Sequence, residues 1–208
     1  IVMPEQKNNL SWTHRNGNSK RNISHLYFSD EPELVWKSKI GRGNSAKFRI
    51  TSDPVIMNNK IYVLNSQSTV LKVTSDGSIE WQKKLTPPFD SEGDTSAGGI
   101  AVSEKKLFVS TGFGEPYAIS TDNGDVIWRQ RFKAPLNSAP TVIDDQVFVM
   151  TANGQAFALD VEAGRIRWQQ QSNLASAILL GGASVTAYAN LALLPFDSGE
   201  LTAVLKES

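Results

Sequence analysis

A glycine followed four residues later by a tryptophan occurs three times in register with its surroundings, at Gly77 and Trp81, Gly124 and Trp128, and Gly164 and Trp168. Each pair sits in the same local setting, a polar turn and then a short alternating run that ends on the indole, as in Asp160-Val161-Glu162-Ala163-Gly164-Arg165-Ile166-Arg167-Trp168. Glycine takes a positive φ without a Cβ clash, so it suits a tight turn between antiparallel strands. The run after it predicts a strand, and in a regular strand the apolar residue two before each Trp (Ile79, Val126, Ile166) shares the face of the indole. A chain that repeats this offset is built from repeated turn-and-strand units.

Trp36, in Glu33-Leu34-Val35-Trp36-Lys37-Ser38-Lys39-Ile40, has the strand without the glycine turn. The four tryptophans lie 45, 47 and 40 residues apart, the period of a four-stranded propeller blade rather than of a helical solenoid. The rest of each unit agrees. Small residues open it (Ala97-Gly98-Gly99, Ser138-Ala139-Pro140), a β-rich run follows (Lys60–Leu64, Lys106–Ser110, Gln146–Met150, Leu191–Leu194), and a third run precedes the glycine. No segment shows a sustained 3.6-residue apolar period with caps. The fold class is therefore all-β, a β-propeller with about four blades present.

The expected organisation is an irregular polar arm over residues 1–32, rich in Asn, Ser and Lys, lying on the body with mobile parts, followed by a partial propeller over 33–208. Its blades fall at about 50–84, 97–132, 138–171 and 183–208, the last incomplete, with 33–40 as an orphan outer strand. The orphan strand and the unfinished blade are complementary. Three arrangements satisfy both: the front part of a longer ring, two copies completing each other in an eight-blade ring, or an arm that closes a four-blade ring.

Composition narrows the function classes. Lys and Arg total 21 and Asp and Glu total 21, so the electrostatic footprint of a nucleic-acid partner is missing. Cysteine is absent, which excludes a disulfide framework and a thiolate metal site. No apolar run reaches the roughly 18 residues of a membrane span, and the first residues lack a charged segment followed by an apolar one. The chain reads as a soluble domain without a targeting segment.

Ala158-Leu159-Asp160, Gly164 and Trp168 together resemble the repeat of pyrroloquinoline-quinone-type propellers. Three further features are more specific: the opening Trp36-Lys37-x-x-Ile40-Gly41, the loop Leu179-Leu180-Gly181-Gly182-Ala183-Ser184, and the ending Asp197-Ser198-Gly199-Glu200-Leu201-Thr202-Ala203-Val204-Leu205. These resemble the BamB family, lipoprotein scaffolds of the outer-membrane β-barrel assembly machinery, over residues 33–208. The resemblance implies about half of an eight-blade ring with no catalytic role and no cofactor. It also implies a place at the periplasmic face of the outer membrane. The implied partners are the barrel-forming subunit and unfolded outer-membrane proteins. In the family a leucine-and-arginine loop contacts that subunit, and the matching positions are Ile178, Leu179, Leu180 and Gly181, with Leu180 where the arginine would stand. Membrane contact in the family runs through a lipid anchor, whose cysteine this chain lacks.

Other candidates carry bland readings. Gly112-Phe113-Gly114-Glu115 is no phosphate cradle, because no helix start follows it. His14 and His25 lie in the polar arm and read as solvated. Acidic residues at the repeat turns (Asp76, Asp122, Asp125, Asp160, Glu162) read as ligands of the turn backbone. A ligand-binding or sensor propeller is one alternative function. A quinone-dependent dehydrogenase is another, which would need a cofactor and usually calcium.

Overall fold

The computed structural model describes residues 2–45, 48–91, 95, 98–175 and 181–207. Every regular element among them is a β-strand, and no helix there is long and apolar enough to cross a membrane. Blade 1 contains β1 (Val55–Met57), β2 (Lys60–Leu64), β3 (Thr69–Thr74) and β4 (Ile79–Lys84). Blade 2 contains β5 (Gly98–Ser103), β6 (Lys106–Thr111), β7 (Pro116–Ser120) and β8 (Val126–Arg129). Blade 3 contains β9 (Thr141–Ile143), β10 (Gln146–Met150), β11 (Gln155–Asp160) and β12 (Ile166–Gln171). Blade 4 has three strands, β13 (Thr186–Tyr188), β14 (Leu191–Pro195) and β15 (Leu201–Leu205). Each blade is an antiparallel meander in which sequence neighbours pair.

The cores lie between blades. One joins Tyr62, Leu64 and Val70 of blade 1 to Ile100, Leu107 and Ile119 of blade 2. The next joins Phe108, Ala118 and Trp128 of blade 2 to Val147, Phe157 and Leu159 of blade 3. The last joins Phe148, Ala156 and Ala158 of blade 3 to Ala192, Leu194 and Phe196 of blade 4. Among the described residues no such core links blade 4 back to blade 1. Small residues at the inner strands permit the close approach there: a Cβ on Gly99 would stand 2.5 Å from the Cβ of Ala139 in the next blade.

Each repeat tryptophan locks one blade to the next in the same way. The Trp81 Nε1–H donates to the carbonyl of Thr121 at 3.2 Å, Trp128 to Val161 at 2.9 Å, and Trp168 to Lys206 at 2.8 Å. All three acceptors follow the last residue of the third strand of the next blade. The glycine turn gives the indole its seat: Gly124 lies beneath Trp81 and Gly164 beneath Trp128, at positive φ of 78° and 68°. At Gly164 an added Cβ would meet the Trp128 ring at 2.6 Å. Behind each indole stands an aromatic of the second strand, Tyr62 for Trp81, Phe108 for Trp128 and Phe148 for Trp168, with ring centroids 6.3, 6.0 and 5.8 Å apart.

The outer strands depart from the simple alternation. Trp81 pairs with Lys72 and Ile79 with the adjacent Val73, so Glu80 is an extra, bulged residue. Ile127 and Arg167 are bulged in the same way in blades 2 and 3. A bulge inserts one unpaired residue, which places Trp and the residue two before it on opposite faces of the sheet. The expected shared face is thereby corrected. Ile79, Val126 and Ile166 are 43%, 38% and 49% exposed.

Glu33–Ile40, expected as an orphan outer strand, lies alone, joining no ladder among the described residues. It runs extended, with Trp36, Ser38 and Ile40 half-buried and the residues between them exposed.

The arm differs most from expectation. It crosses the inner edges of the blades, one residue to a blade. Trp12 exchanges both backbone hydrogen bonds with Ile56 of β1 at 2.8 and 2.7 Å, the Thr13 carbonyl accepts from Val102 of β5 at 2.8 Å, and His14 Nε2 accepts from Val142 of β9 at 3.0 Å. Arg15 then reaches the start of blade 4. His14 is buried, not solvated.

Candidate docking surface

The loop before β13 carries the apolar positions singled out in the sequence. Ile178, Leu179 and Leu180 lie outside the described residues, whereas both ends of their loop are described and firmly held. On the incoming side Ser172 N–H donates to Gly154 O at 2.8 Å, and its hydroxyl donates to Glu200 at 2.7 Å. On the outgoing side Gly181, at φ +75°, lies against Thr51. Arg15 Nη1 donates to the carbonyls of Gly181 at 2.7 Å and Gly182 at 3.1 Å, and Gly182 N–H donates to Asn137 O at 2.9 Å.

Beside it opens a cleft of about 510 Å³ walled by Arg15, Arg21, Gly181, Ser184, Leu193 and Leu201. Arg21 is pinned from several sides: Nε donates to Thr186 Oγ1 at 3.2 Å, and Nη2 to Thr141 Oγ1 at 3.1 Å and Val185 O at 3.3 Å. Burial, and then the neighbouring charge of Arg15, pull its pKa below the ordinary arginine value. Asp53 sits 3.6 Å from Arg15 Nε. The same environment acts on His14: burial first, then Arg21, lower its pKa to about 4. Val142 N–H donates to Nε2, so Nδ1 carries the proton and faces Thr13 Oγ1 at 2.8 Å. Nothing in the sequence marked these arm residues, because the arm has the composition of a solvated segment.

Glu115 is a second group the sequence did not mark. It is buried, accepts a hydrogen bond from Tyr117 Oη and stands 4.0 Å from Arg131 Nε. Burial, and then the Glu115 carboxylate, raise the Tyr117 pKa far above that of a free phenol. The acidic turn residues divide. Asp160 accepts from the backbone of Glu162 and Ala163 at 3.0 and 2.8 Å, and Asp76 from Ser78 at 3.2 Å. Glu162 instead pairs with Lys106 across the blade boundary. A quinone dehydrogenase would need a calcium held by converging oxygens. Among the described residues no three His, Asp or Glu converge, and the inner edges carry Arg15 and Arg21. These residues do not fit such a group.

The fold defines the class: a partial β-propeller of the quinone-enzyme-like type. The europium-containing methanol dehydrogenase shares it, with a TM-score of 0.63 at 19% identity over 80% of this chain and 32% of that one. BamB from Moraxella catarrhalis gives 0.62 at 19% identity over 80% of this chain and 48% of that one. Sequence separates the two. The model of the outer membrane protein assembly factor BamB family matches residues 67–208, and the chain belongs to that family. It is 34% identical over 180 residues to the BamB of Escherichia coli K12 and 33% identical to that of Salmonella typhimurium LT2, covering 85% of this chain. The chain spans 46% of the length of those relatives.

Proposed function

We propose that the chain acts as a non-catalytic scaffold in outer-membrane protein assembly, on the periplasmic side, docking on the barrel-forming subunit and assisting its unfolded clients. The family match over 67–208 carries this reading. The docking element is the loop through Ile178, Leu179, Leu180 and Gly181. The sequence lacks an arginine at 180, but Arg15 of the arm stands against Gly181 and Gly182 and supplies a cation at the outgoing end of the loop. An apolar centre with a polar margin is the usual composition of a protein contact.

The test is Leu179→Asp with Leu180→Asp, read by co-purification with the barrel-forming subunit and by thermal melting. Capture falls at least tenfold while the melting temperature stays within a few degrees of the parent. Collapse of the fold would assign the leucines to the core; undiminished capture would remove the loop from the docking surface.

A further inference from the structure

The outer edge of blade 2 carries a row of cations that its neighbours lack. β8 pairs with β7 on one side and with no strand on the other among the described residues. Gln130 N–H donates to Pro116 O at 3.0 Å and Phe132 N–H to Gly114 O at 2.8 Å, so the pairing runs past the end of β8 into an extended segment. Backbone groups alternate in direction along an antiparallel edge. With Gln130 and Phe132 turned inward, the N–H and C=O groups of Arg129 and Arg131 point away from β7. The side chains alternate as well: Trp128 is buried, Gln130 and Phe132 are half-buried, and Arg129, Arg131 and Lys133 are exposed. Phe132 stacks on Phe157 of blade 3 with ring centroids 4.2 Å apart, which fixes the segment from behind.

The three cations stand one, three and five residues after the repeat tryptophan. The same positions hold Gln82, Lys84 and Thr86 in blade 1 and Gln169, Gln171 and Asn173 in blade 3. The repeat therefore does not require the charge. Nor is it cancelled nearby: among the described residues the one carboxylate in ion-pair range is Glu115, 4.0 Å from Arg131 Nε, and that group is buried and already accepts from Tyr117 Oη. Beside the row, Phe113, Lys133 and Pro135 wall a cleft of about 470 Å³.

We infer that the edge over residues 129–133 takes up an extended acidic segment of a partner protein as a fifth, antiparallel strand of blade 2, with carboxylates at every second position facing Arg129, Arg131 and Lys133. Each acidic residue opposite an arginine then exchanges both main-chain bonds with it, so that the backbone holds the segment and the charge pairs set its register. The cleft receives a further side chain. Blades 1 and 3 flank this edge, and it belongs to a different blade from the loop before β13, so it gives the scaffold a second contact independent of that loop.

The probe is a fluorescein-labelled peptide in which glutamate alternates with threonine, titrated with the 208-residue chain and read by anisotropy. It binds, and a peptide of the same composition with its glutamates in one block binds at least tenfold more weakly. In a two-dimensional amide NMR spectrum the Arg129 and Arg131 signals shift on binding, while those of Gln82 and Gln169, at the same place in blades 1 and 3, stay put. Arg129→Gln with Lys133→Gln, which leaves Arg131 beside Glu115, weakens binding at least tenfold at an unchanged melting temperature. The peptide comparison uses the parent chain and stands whatever the stability of that variant. Equal binding of the alternating and block peptides would reduce the edge to general charge attraction and overturn the proposal. So would undiminished binding of a peptide methylated at its glutamate backbone nitrogens, shifts centred on another blade, or no binding.

Discussion

A single indole in this chain performs three tasks at once. Trp128 fills the space between two blades beside Phe108, donates to a carbonyl of the following blade, and covers a glycine whose missing side chain makes its seat. It is 8% exposed, so Trp128→Ala removes a buried aromatic and a satisfied donor together. The expected cost is about 3–5 kcal/mol, measured by denaturant unfolding. A loss below about 1 kcal/mol would show that the joint is dispensable. This much was legible in the sequence, because one offset between glycine and tryptophan encodes both halves of the contact. The aromatic behind each indole was not, since Tyr62, Phe108 and Phe148 look like ordinary strand residues until the sheet register pairs them.

The outer strand shows where alternation alone fails. The second strand of each blade was readable to within a residue (Lys60–Leu64, Lys106–Thr111, Gln146–Met150, Leu191–Pro195), yet the face of Ile79, Val126 and Ile166 was not, because nothing in their identity announces that Glu80, Ile127 and Arg167 are extra. A one-residue slip in a strand transfers its side chains to the other face, and here the bulge makes that transfer part of the design. Deleting Ile127 should therefore either swing the Trp128 indole out of its core or drag the preceding turn out of place. Both outcomes cost about 3 kcal/mol or more, by the same count as loss of the ring. Tryptophan fluorescence after the deletion shifts to the red. An unshifted spectrum with a native melting temperature would mean that the bulge is not needed to aim the ring. The segment at Glu33–Ile40 teaches the same lesson from the other side. Its tryptophan makes the same kind of hydrogen bond as the others, but a strand also needs a neighbour, and that neighbour is not encoded locally.

Across the molecule, the arm ties blades that otherwise meet only in sequence. Its role was illegible because Asn, Ser and Lys dominate it, and a polar stretch reads the same whether its backbone bonds water or the inner edges of β1 and β5. His14 gives this tie a pH dependence. Its folded pKa of about 4 lies below the unfolded 6.5, so the folded state holds the neutral ring and the unfolded state binds the extra proton. The contribution is complete above pH 6.5 and is lost as pH falls through 4, amounting to at most about 3 kcal/mol. Stability measured across that range should decline more steeply in the parent than in His14→Gln; equal slopes would place the histidine in water.

Trp12, Thr13, His14 and Arg15 meet blades 1 to 4 in chain order. A pull on the leading residues, once it has opened the pairing of Lys7 with His25 and Tyr27 inside the arm, consequently reaches the backbone bonds between Trp12 and Ile56 before any other blade anchor. The remaining attachments sit behind that first one like successive stitches, and the load would pass along the hub of the sheets rather than peel a blade from its rim. A tether at that end would hold the whole body by its axle.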